Sequence, residues 1–88
     1  MKINNIFYSG RFRSAFSKIP PDIQKKALEK EKTFRQDCFQ PSLNTHKLKG
    51  ELKDYWAFSI NHTFRILFSF EENGSVSFID IGSHSIYK

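Results

Sequence analysis

Apolar and polar residues alternate in two neighbouring segments near the middle of the chain. The first segment is residues 55–61 and the second is residues 64–70, with only His62 and Thr63 between them. This pattern is typical of two antiparallel strands joined by a tight turn. The segments therefore predict a β-hairpin, and the preceding residues 47–50 predict a basic loop that leads into it.

A side-chain period of two places each apolar set on a single side of the hairpin. One face is predicted to carry the large apolar side chains: Trp56, Phe58, Ile60, Phe64, Ile66, Phe68 and Phe70. The opposite face is predicted to carry Ala57, Ser59, Asn61, Arg65, Leu67 and Ser69. Arg65 stands out because a guanidinium group lies in the middle of a strand whose other residues favour burial.

The first third of the chain predicts a strand followed by two helices. Residues 2–8 indicate the strand, and Ser9 can cap a helix over residues 10–18. Pro20 and Pro21 end that helix and begin a second one, which is predicted over about residues 21–36. Its polar side carries four lysines, which we interpret as a solvent-exposed face: Lys25, Lys26, Lys30 and Lys32.

The last third predicts a turn and a final strand. Glu72-Asn73-Gly74 is a strong turn signal, and residues 75–81 follow it as a strand. Val76, Phe78 and Asp80 are predicted on one strand face, with Ser77, Ile79 and Ile81 on the other. Asp80 could orient a histidine or pair with a cation, but a solvated strand end is the interpretation we favour. The order β-α-α-β-β-β predicts an α+β domain over residues 1–88, with the helix pair on one face of a small antiparallel sheet.

Composition narrows the class of protein. The 88 residues carry a formal net charge of +5, which favours a nucleic acid, an acidic protein segment or an anionic membrane surface as partner. Mild positive charge that only keeps the protein soluble is the competing interpretation. The single Cys38 excludes an internal disulfide and fits a reducing compartment. No apolar run is long enough to span a bilayer and the first residues are too polar for a secretion signal, so we expect a cytoplasmic protein with no membrane partner.

Few residues offer catalytic chemistry. The sequence has no glycine-rich phosphate loop, metal-ligand cluster or nucleophile elbow, so we expect neither a metal nor a cofactor. The candidates are His46, Arg65, His84 and Tyr87, with Lys47, Lys49 and Lys53 near His46. A histidine base, a cation and an acid suffice for metal-free RNA cleavage through attack of the 2′-OH on the neighbouring phosphate. The competing interpretation is that the histidines are surface residues, as we assign His62, and that Tyr87 serves packing.

Several short segments resemble the RelE/ParE toxin superfamily of bacterial toxin–antitoxin modules. They are Leu48-Lys49-Gly50, Tyr55-Trp56, Ile60-Asn61 and Phe64-Arg65-Ile66-Leu67-Phe68. The ending, residues 80–87, is similar to the terminal histidine segment of the YoeB- and YafQ-like branches. The resemblance implies a RelE-like fold and a type II toxin that cleaves messenger RNA, many relatives doing so in the ribosomal A site. It also implies a cognate antitoxin that covers the site.

The resemblance assigns roles to individual residues. Arg65 matches the phosphate-binding arginine and His84 the general acid, while His46 falls where the family has a glutamate or histidine base. Tyr87 lies close to the family's terminal aromatic residue. Two departures are clear: Ser59 and Thr63 occupy the positions of a YafQ-like histidine and aspartate, and Ala57 and Phe58 stand where YoeB-like members have arginines. The lysines Lys47, Lys49 and Lys53 are therefore expected to supply RNA-binding charge.

Two other functions remain open at this stage. ParE-like members of the same superfamily bind DNA gyrase and do not cut RNA. A non-catalytic protein-binding relative, in which His84 is structural, is the second alternative. Cleaved transcripts in expressing cells would favour the nuclease, whereas DNA breaks with intact messages would favour the gyrase-binding toxin.

Overall fold

The computed structural model describes residues 1–87, with the side chains of His84 and Ser85 outside the description. The described chain forms two helices, α1 (Gly10–Lys18) and α2 (Pro21–Gln36), and five strands: β1 (Asn5–Tyr8), β2 (His46–Lys47), β3 (Trp56–Ser59), β4 (Arg65–Phe70) and β5 (Ser75–Gly82). Short 3₁₀ turns occur at Pro41–Leu43, Gly50–Leu52, Glu72–Gly74 and His84–Tyr87. None of the helices in the described part is long and apolar enough to cross a membrane.

The two helices begin and end where the sequence predicts. The Ser9 hydroxyl oxygen accepts a hydrogen bond from the Phe12 N–H at 2.9 Å and so caps α1. The same hydroxyl donates to the Ile79 carbonyl oxygen at 2.8 Å, which ties the start of α1 to β5. Pro20 and Pro21 separate α1 from α2, because proline has no N–H to donate to a preceding turn. Local capping chemistry therefore determines both helix boundaries.

The sheet is mixed rather than wholly antiparallel. Its strand order is β1-β5-β4-β3-β2, and β1 pairs with β5 in parallel while the other neighbours are antiparallel. The helices and the central hairpin separate β1 from β5 in sequence, so β5 reaches β1 through a long connection, as parallel pairing requires. The α+β class and the β-α-α-β-β-β order are confirmed, with one addition: β2 forms a two-residue strand at the start of the predicted basic loop.

The central hairpin has a wider turn than its sequence suggests. The Ile60 N–H donates to the Phe64 carbonyl oxygen at 2.9 Å, and the Asn61 side-chain oxygen accepts from the backbone N–H groups of Thr63 and Phe64. The strands therefore stop at Ser59 and restart at Arg65. Asn61, rather than a two-residue turn, stabilises the connection.

A β-bulge changes the predicted faces of β5. Leu67 pairs with Asp80 but Phe68 pairs with Phe78, so Ile79 is an extra residue without a partner on β4. As a result Ile81 joins Val76 and Phe78 in the core, and the predicted grouping of Asp80 with those two residues is wrong.

Asp80 is also not a solvated strand end. The residue is 6% exposed, and its carboxylate lies 3.1 Å from the Arg11 Nε. The other carboxylate oxygen accepts from the Ile81 N–H at 2.9 Å. The favoured interpretation of Asp80 as a solvated strand end is therefore wrong. The alternative, pairing with a cation, is correct, and the cation is Arg11 on α1.

Phenylalanines fill the core between the helices and the sheet. The Phe34 ring on α2 stacks on Phe58 with ring centres 4.5 Å apart. It meets Phe68 edge-on at 4.9 Å and Phe78 at 5.5 Å. Such offset and edge-on pairs add to the free energy of burial. These ring contacts identify the side of β3, β4 and β5 that faces the helices. Arg65 of the hairpin lies on the opposite face of the sheet.

Candidate functional site

Strand register places His46 and Arg65 on the same face of the sheet. His46 on β2 pairs with Ala57, and Arg65 on β4 pairs with Ser59. Paired residues of antiparallel strands project to the same side, and Ala57 and Ser59 are two residues apart on β3. The spacing of strands and residues puts the Cα atoms of His46 and Arg65 about 12 Å apart. A ribose and its phosphate can bridge this distance when the His46 and Arg65 side chains extend towards each other.

The backbone at Asn44 orients the His46 ring. The His46 Nδ1 lies 2.8 Å from the Asn44 carbonyl oxygen, and Asn44 adopts a left-handed conformation with φ 50°. A carbonyl oxygen only accepts, so Nδ1 carries the hydrogen and the neutral ring keeps its free lone pair on Nε2. The ring is thus held in the tautomer that a general base with Nε2 as its acceptor needs.

Tyr87 is brought close to Arg65 by the C-terminal 3₁₀ turn. The turn packs on Gly82, the register partner of Arg65, where an added Cβ would meet the Ile86 Cγ2 at 2.7 Å. Burial raises the pKa of the Tyr87 phenol, and the positive charge of Arg65 acts in the opposite direction. Tyr87 is therefore a protonated donor at neutral pH beside the arginine.

His84 belongs to the same C-terminal turn, but its side chain lies outside the described residues. Its backbone falls in the His84–Tyr87 turn, which packs against β5. The predicted role of His84 as general acid therefore stays a prediction.

The three lysines expected to bind RNA are all exposed: Lys47, Lys49 and Lys53. Lys49 and Lys53 flank the Gly50–Leu52 turn, which begins at Gly50 with a φ of +66° that favours glycine. Lys47 pairs with Trp56, so its side chain leaves the sheet on the face opposite to Arg65. Lys49 and Lys53 therefore lie in the loop that follows β2, whereas Lys47 begins on the face opposite to Arg65.

A basic cleft lies at the outer edge of β3, and sequence reasoning did not find it. The cleft has a volume of about 440 Å³ and is lined by Lys26, Lys30, Ser42, Asn44, Ser59, Ile60, Asn61, His62 and Arg65. Among these described residues none is acidic. The lysines of α2 were interpreted as a solvent-exposed face and His62 as a surface residue. Their meeting with Arg65 depends on how α2 packs against the hairpin, for which the sequence carries no local signal.

The described residues hold no group of three or more His, Cys, Asp or Glu side chains placed to bind one metal ion. The groups that the fold does assemble are an imidazole, a guanidinium, a phenol and several ammonium groups. Groups of these kinds can bind phosphate and transfer protons.

Solved structures with the same arrangement of elements include bacterial toxins. The chain has the RelE-like toxin fold. A toxin–antitoxin complex, RelBE2 from Mycobacterium tuberculosis, matches with a TM-score of 0.72 and 18% identity over 97% of this chain and 95% of that chain. The YoeB–YefM complex from Staphylococcus aureus gives 0.72 and 20% over 96% and 99%, and YafQ from E. coli gives 0.70 and 16% over 98% and 98%.

The resemblance in sequence is thus confirmed at the level of the fold. No protein-family model matches the chain, and no curated protein sequence matches it. The roles predicted for His46, Arg65, His84 and Tyr87 stay predictions.

Proposed function

We propose that this protein is the toxin of a toxin–antitoxin pair and that it cleaves messenger RNA without a metal ion. The observation that carries the proposal is the register that puts His46 and Arg65 on one face of the sheet. The RelE-like fold supports it, because solved proteins with this fold include toxins crystallised with their antitoxins. Messenger RNA in the ribosomal A site is the proposed substrate.

The proposed reaction divides its steps among four residues. The His46 Nε2 accepts the proton of the 2′-OH, and the resulting oxygen attacks the adjacent phosphorus. Arg65 stabilises the negative charge that develops on the phosphate oxygens in the transition state. His84 protonates the leaving 5′ oxygen, and Tyr87 donates a hydrogen bond near Arg65. The P–O5′ bond breaks, giving a 2′,3′-cyclic phosphate and a 5′-hydroxyl end.

Lysines at and after the edge strand β2 would hold the RNA strand. Lys49 and Lys53 are exposed on either side of the Gly50–Leu52 turn, and Lys47 lies at the edge strand beside His46. Contacts to phosphates supply affinity without base specificity. A cognate antitoxin, acidic or amphipathic and disordered when free, is the proposed protein partner, and it would cover this basic surface.

The test replaces Arg65 by alanine and compares it with Arg13→Ala, which removes an exposed arginine of α1. In a chelator-containing buffer, the unaltered protein should cut single-stranded or ribosome-bound RNA and leave a 2′,3′-cyclic phosphate. Arg65→Ala should lower the rate by about 10²-fold or more, whereas Arg13→Ala should keep it. Melting curves of both variants report folding.

Three results would contradict the proposal. The first is a 5′-phosphate product, and the second is a strict need for added magnesium in the chemical step. The third is intact messages with broken DNA in expressing cells, which would favour the gyrase-binding alternative. A large loss of stability in Arg65→Ala together with retained cleavage would assign the arginine to the fold instead.

A further inference from the structure

The cleft at the edge of β3 brings together positive charges from separate elements. Lys26 and Lys30 come from α2, and Arg65 comes from β4. In the part of the chain that the structure describes, neither lysine makes an ion pair. Like charges four residues apart on a helix repel each other. An anionic ligand in the cleft would offset this repulsion.

The remaining walls of the cleft offer hydrogen-bonding groups. The Asn61 side-chain oxygen is occupied by the backbone N–H groups of Thr63 and Phe64, which leaves the amide nitrogen as a donor. Ser42 and Asn44 are exposed at and beside the Pro41–Leu43 turn. Ammonium groups combined with neutral donors and acceptors match a sugar–phosphate backbone, whose anionic oxygens alternate with hydroxyl groups.

The cleft is continuous with the residues proposed to cleave RNA. Arg65 lines it directly, and Asn44 lines it while its carbonyl oxygen orients the His46 ring. β2 pairs with Trp56 and Ala57 and ends there, so the edge of β3 at Ser59 borders the cleft rather than another strand. A strand of RNA that crosses Arg65 can therefore continue past this edge towards α2.

We propose that this cleft binds the RNA backbone next to the scissile linkage, with Lys26 and Lys30 contacting the neighbouring phosphate groups. The inference rests on the proposed ribonuclease function and extends it to a second phosphate site. The two ammonium groups project from Cα positions about 6 Å apart along α2, so they can grip one phosphate or two successive ones.

The test measures binding of a short single-stranded RNA whose 2′-O-methyl groups prevent cleavage. The variant Lys26→Ala/Lys30→Ala is compared with Lys25→Ala/Lys32→Ala, which removes the same charge from exposed positions of α2 outside the cleft. Loss of two contacts should weaken binding about tenfold. It should also reduce the slope of log affinity against log salt by about 1.4. The control variant should lose less than half as much in both quantities.

Cleavage and melting give independent readouts. With cleavable RNA, Lys26→Ala/Lys30→Ala should raise KM while kcat at saturating RNA stays unchanged. Its melting temperature should stay close to that of the unaltered protein, because alanine is well tolerated in a helix.

The outcomes separate this inference from the proposed function. Equal RNA affinities and salt slopes for the two double variants, with normal cleavage by the unaltered protein, would overturn the inference alone. Poly-L-glutamate serves as an acidic protein probe in the same assay. Loss of its binding in Lys26→Ala/Lys30→Ala with unchanged RNA binding would assign the cleft to an acidic protein segment. Failure of the unaltered protein to bind or cut RNA would overturn both proposals.

Discussion

The Nδ1 of His46 lies 2.8 Å from the carbonyl oxygen of Asn44, two residues earlier in the chain. This contact fixes the ring tautomer through the backbone, so no other side chain is required to orient the imidazole. Asn44 can present its carbonyl because its φ of 50° turns the chain between the Pro41–Leu43 turn and β2. The same residue lines the basic cleft, so one loop links the proposed base to the proposed phosphate site.

The first prediction concerns the role of His46 as base. His46→Ala should slow RNA cleavage by about 10²–10⁴-fold, since a positioned general base contributes that much. RNA affinity should change little. Added imidazole should restore part of the rate by entering the vacated space. A variant whose rate stays low with imidazole, and whose melting temperature has dropped, would make His46 a structural residue.

The second prediction concerns Gly82, which lets the C-terminal turn approach β5. In Gly82→Ala the new Cβ would lie 2.7 Å from the Ile86 Cγ2, so the Ile86 side chain, and with it the C-terminal turn that carries Tyr87, must shift. A displacement of about 1 Å can cost on the order of 10²-fold in rate, and we expect cleavage to fall with a smaller effect on melting.

Gly10→Ala is the matched control for that substitution. A Cβ at Gly10 meets nothing within 4 Å, and alanine is favoured in a helix. Gly10→Ala should therefore keep both activity and melting temperature. Normal cleavage by Gly82→Ala would show that the position of Tyr87 beside Arg65 does not matter for the reaction.

The third prediction concerns the contact between Arg11 and the nearly buried Asp80. Among the described residues, Arg11→Ala leaves the Asp80 carboxylate with the Ile81 N–H as its hydrogen-bond partner. An unsatisfied buried group costs about 1–3 kcal/mol, which corresponds to roughly 4–20 °C in melting temperature for a chain of this size. Calorimetry would measure the loss, with Arg13→Ala as an exposed control on the same helix. Equal melting of the two variants would assign Asp80 no stabilising role.

The fourth prediction concerns Tyr8 and alkaline pH. Burial raises the pKa of the Tyr8 phenol, and the hydrogen bond to Glu31 and the charge of that carboxylate raise it further. The ordinary pKa of a tyrosine phenol, which applies in the unfolded chain, is 10.0. Because the pKa in the folded protein is higher, the phenol contributes its full stabilisation below pH 10. This contribution disappears as the pH rises through the pKa of the folded protein.

Tyr8→Phe isolates that contribution from the other groups that titrate in the alkaline range. At pH 7 the variant should melt below the unaltered protein, because it lacks the hydrogen bond to Glu31. The gap should close as the pH rises above about 10. A gap that stays constant with pH would mean that ionisation of Tyr8 is not linked to unfolding.

Local chemistry explains which elements could be predicted from the sequence. Ser9 and the Pro20-Pro21 pair act on neighbouring backbone groups, so they determine helix boundaries before any tertiary contact forms. The alternation around Arg65 likewise gives the strand and the face, because the period of two is a property of one strand.

Features that depend on distant residues were not predictable in this way. The bulge at Ile79 follows from how β5 meets both β4 and the Ser9 hydroxyl, and it buries Asp80 and moves Ile81 into the core. The basic cleft likewise exists because α2 packs beside the hairpin. In the sequence, Lys26 and Lys30 look the same as the neighbouring lysines that contact no cleft.

The last prediction concerns the proposed antitoxin and the exposed apolar surface of the helix pair. Leu28 is 54% exposed and lines a small apolar pocket of about 170 Å³ together with Phe12, Phe16 and Tyr8. An amphipathic antitoxin segment can place an apolar side chain there while its acidic residues meet the lysines of α2. Burial of a leucine contributes about 1.5–3 kcal/mol, so Leu28→Ser should weaken antitoxin binding about 10- to 100-fold and leave RNA cleavage unchanged.

Gln36→Ser, at an exposed position of the same helix, is the control and should leave both antitoxin binding and RNA cleavage unchanged. Titration of each variant with a candidate antitoxin, expressed from a small neighbouring open reading frame, measures the difference, and equal affinities would place that partner on another surface.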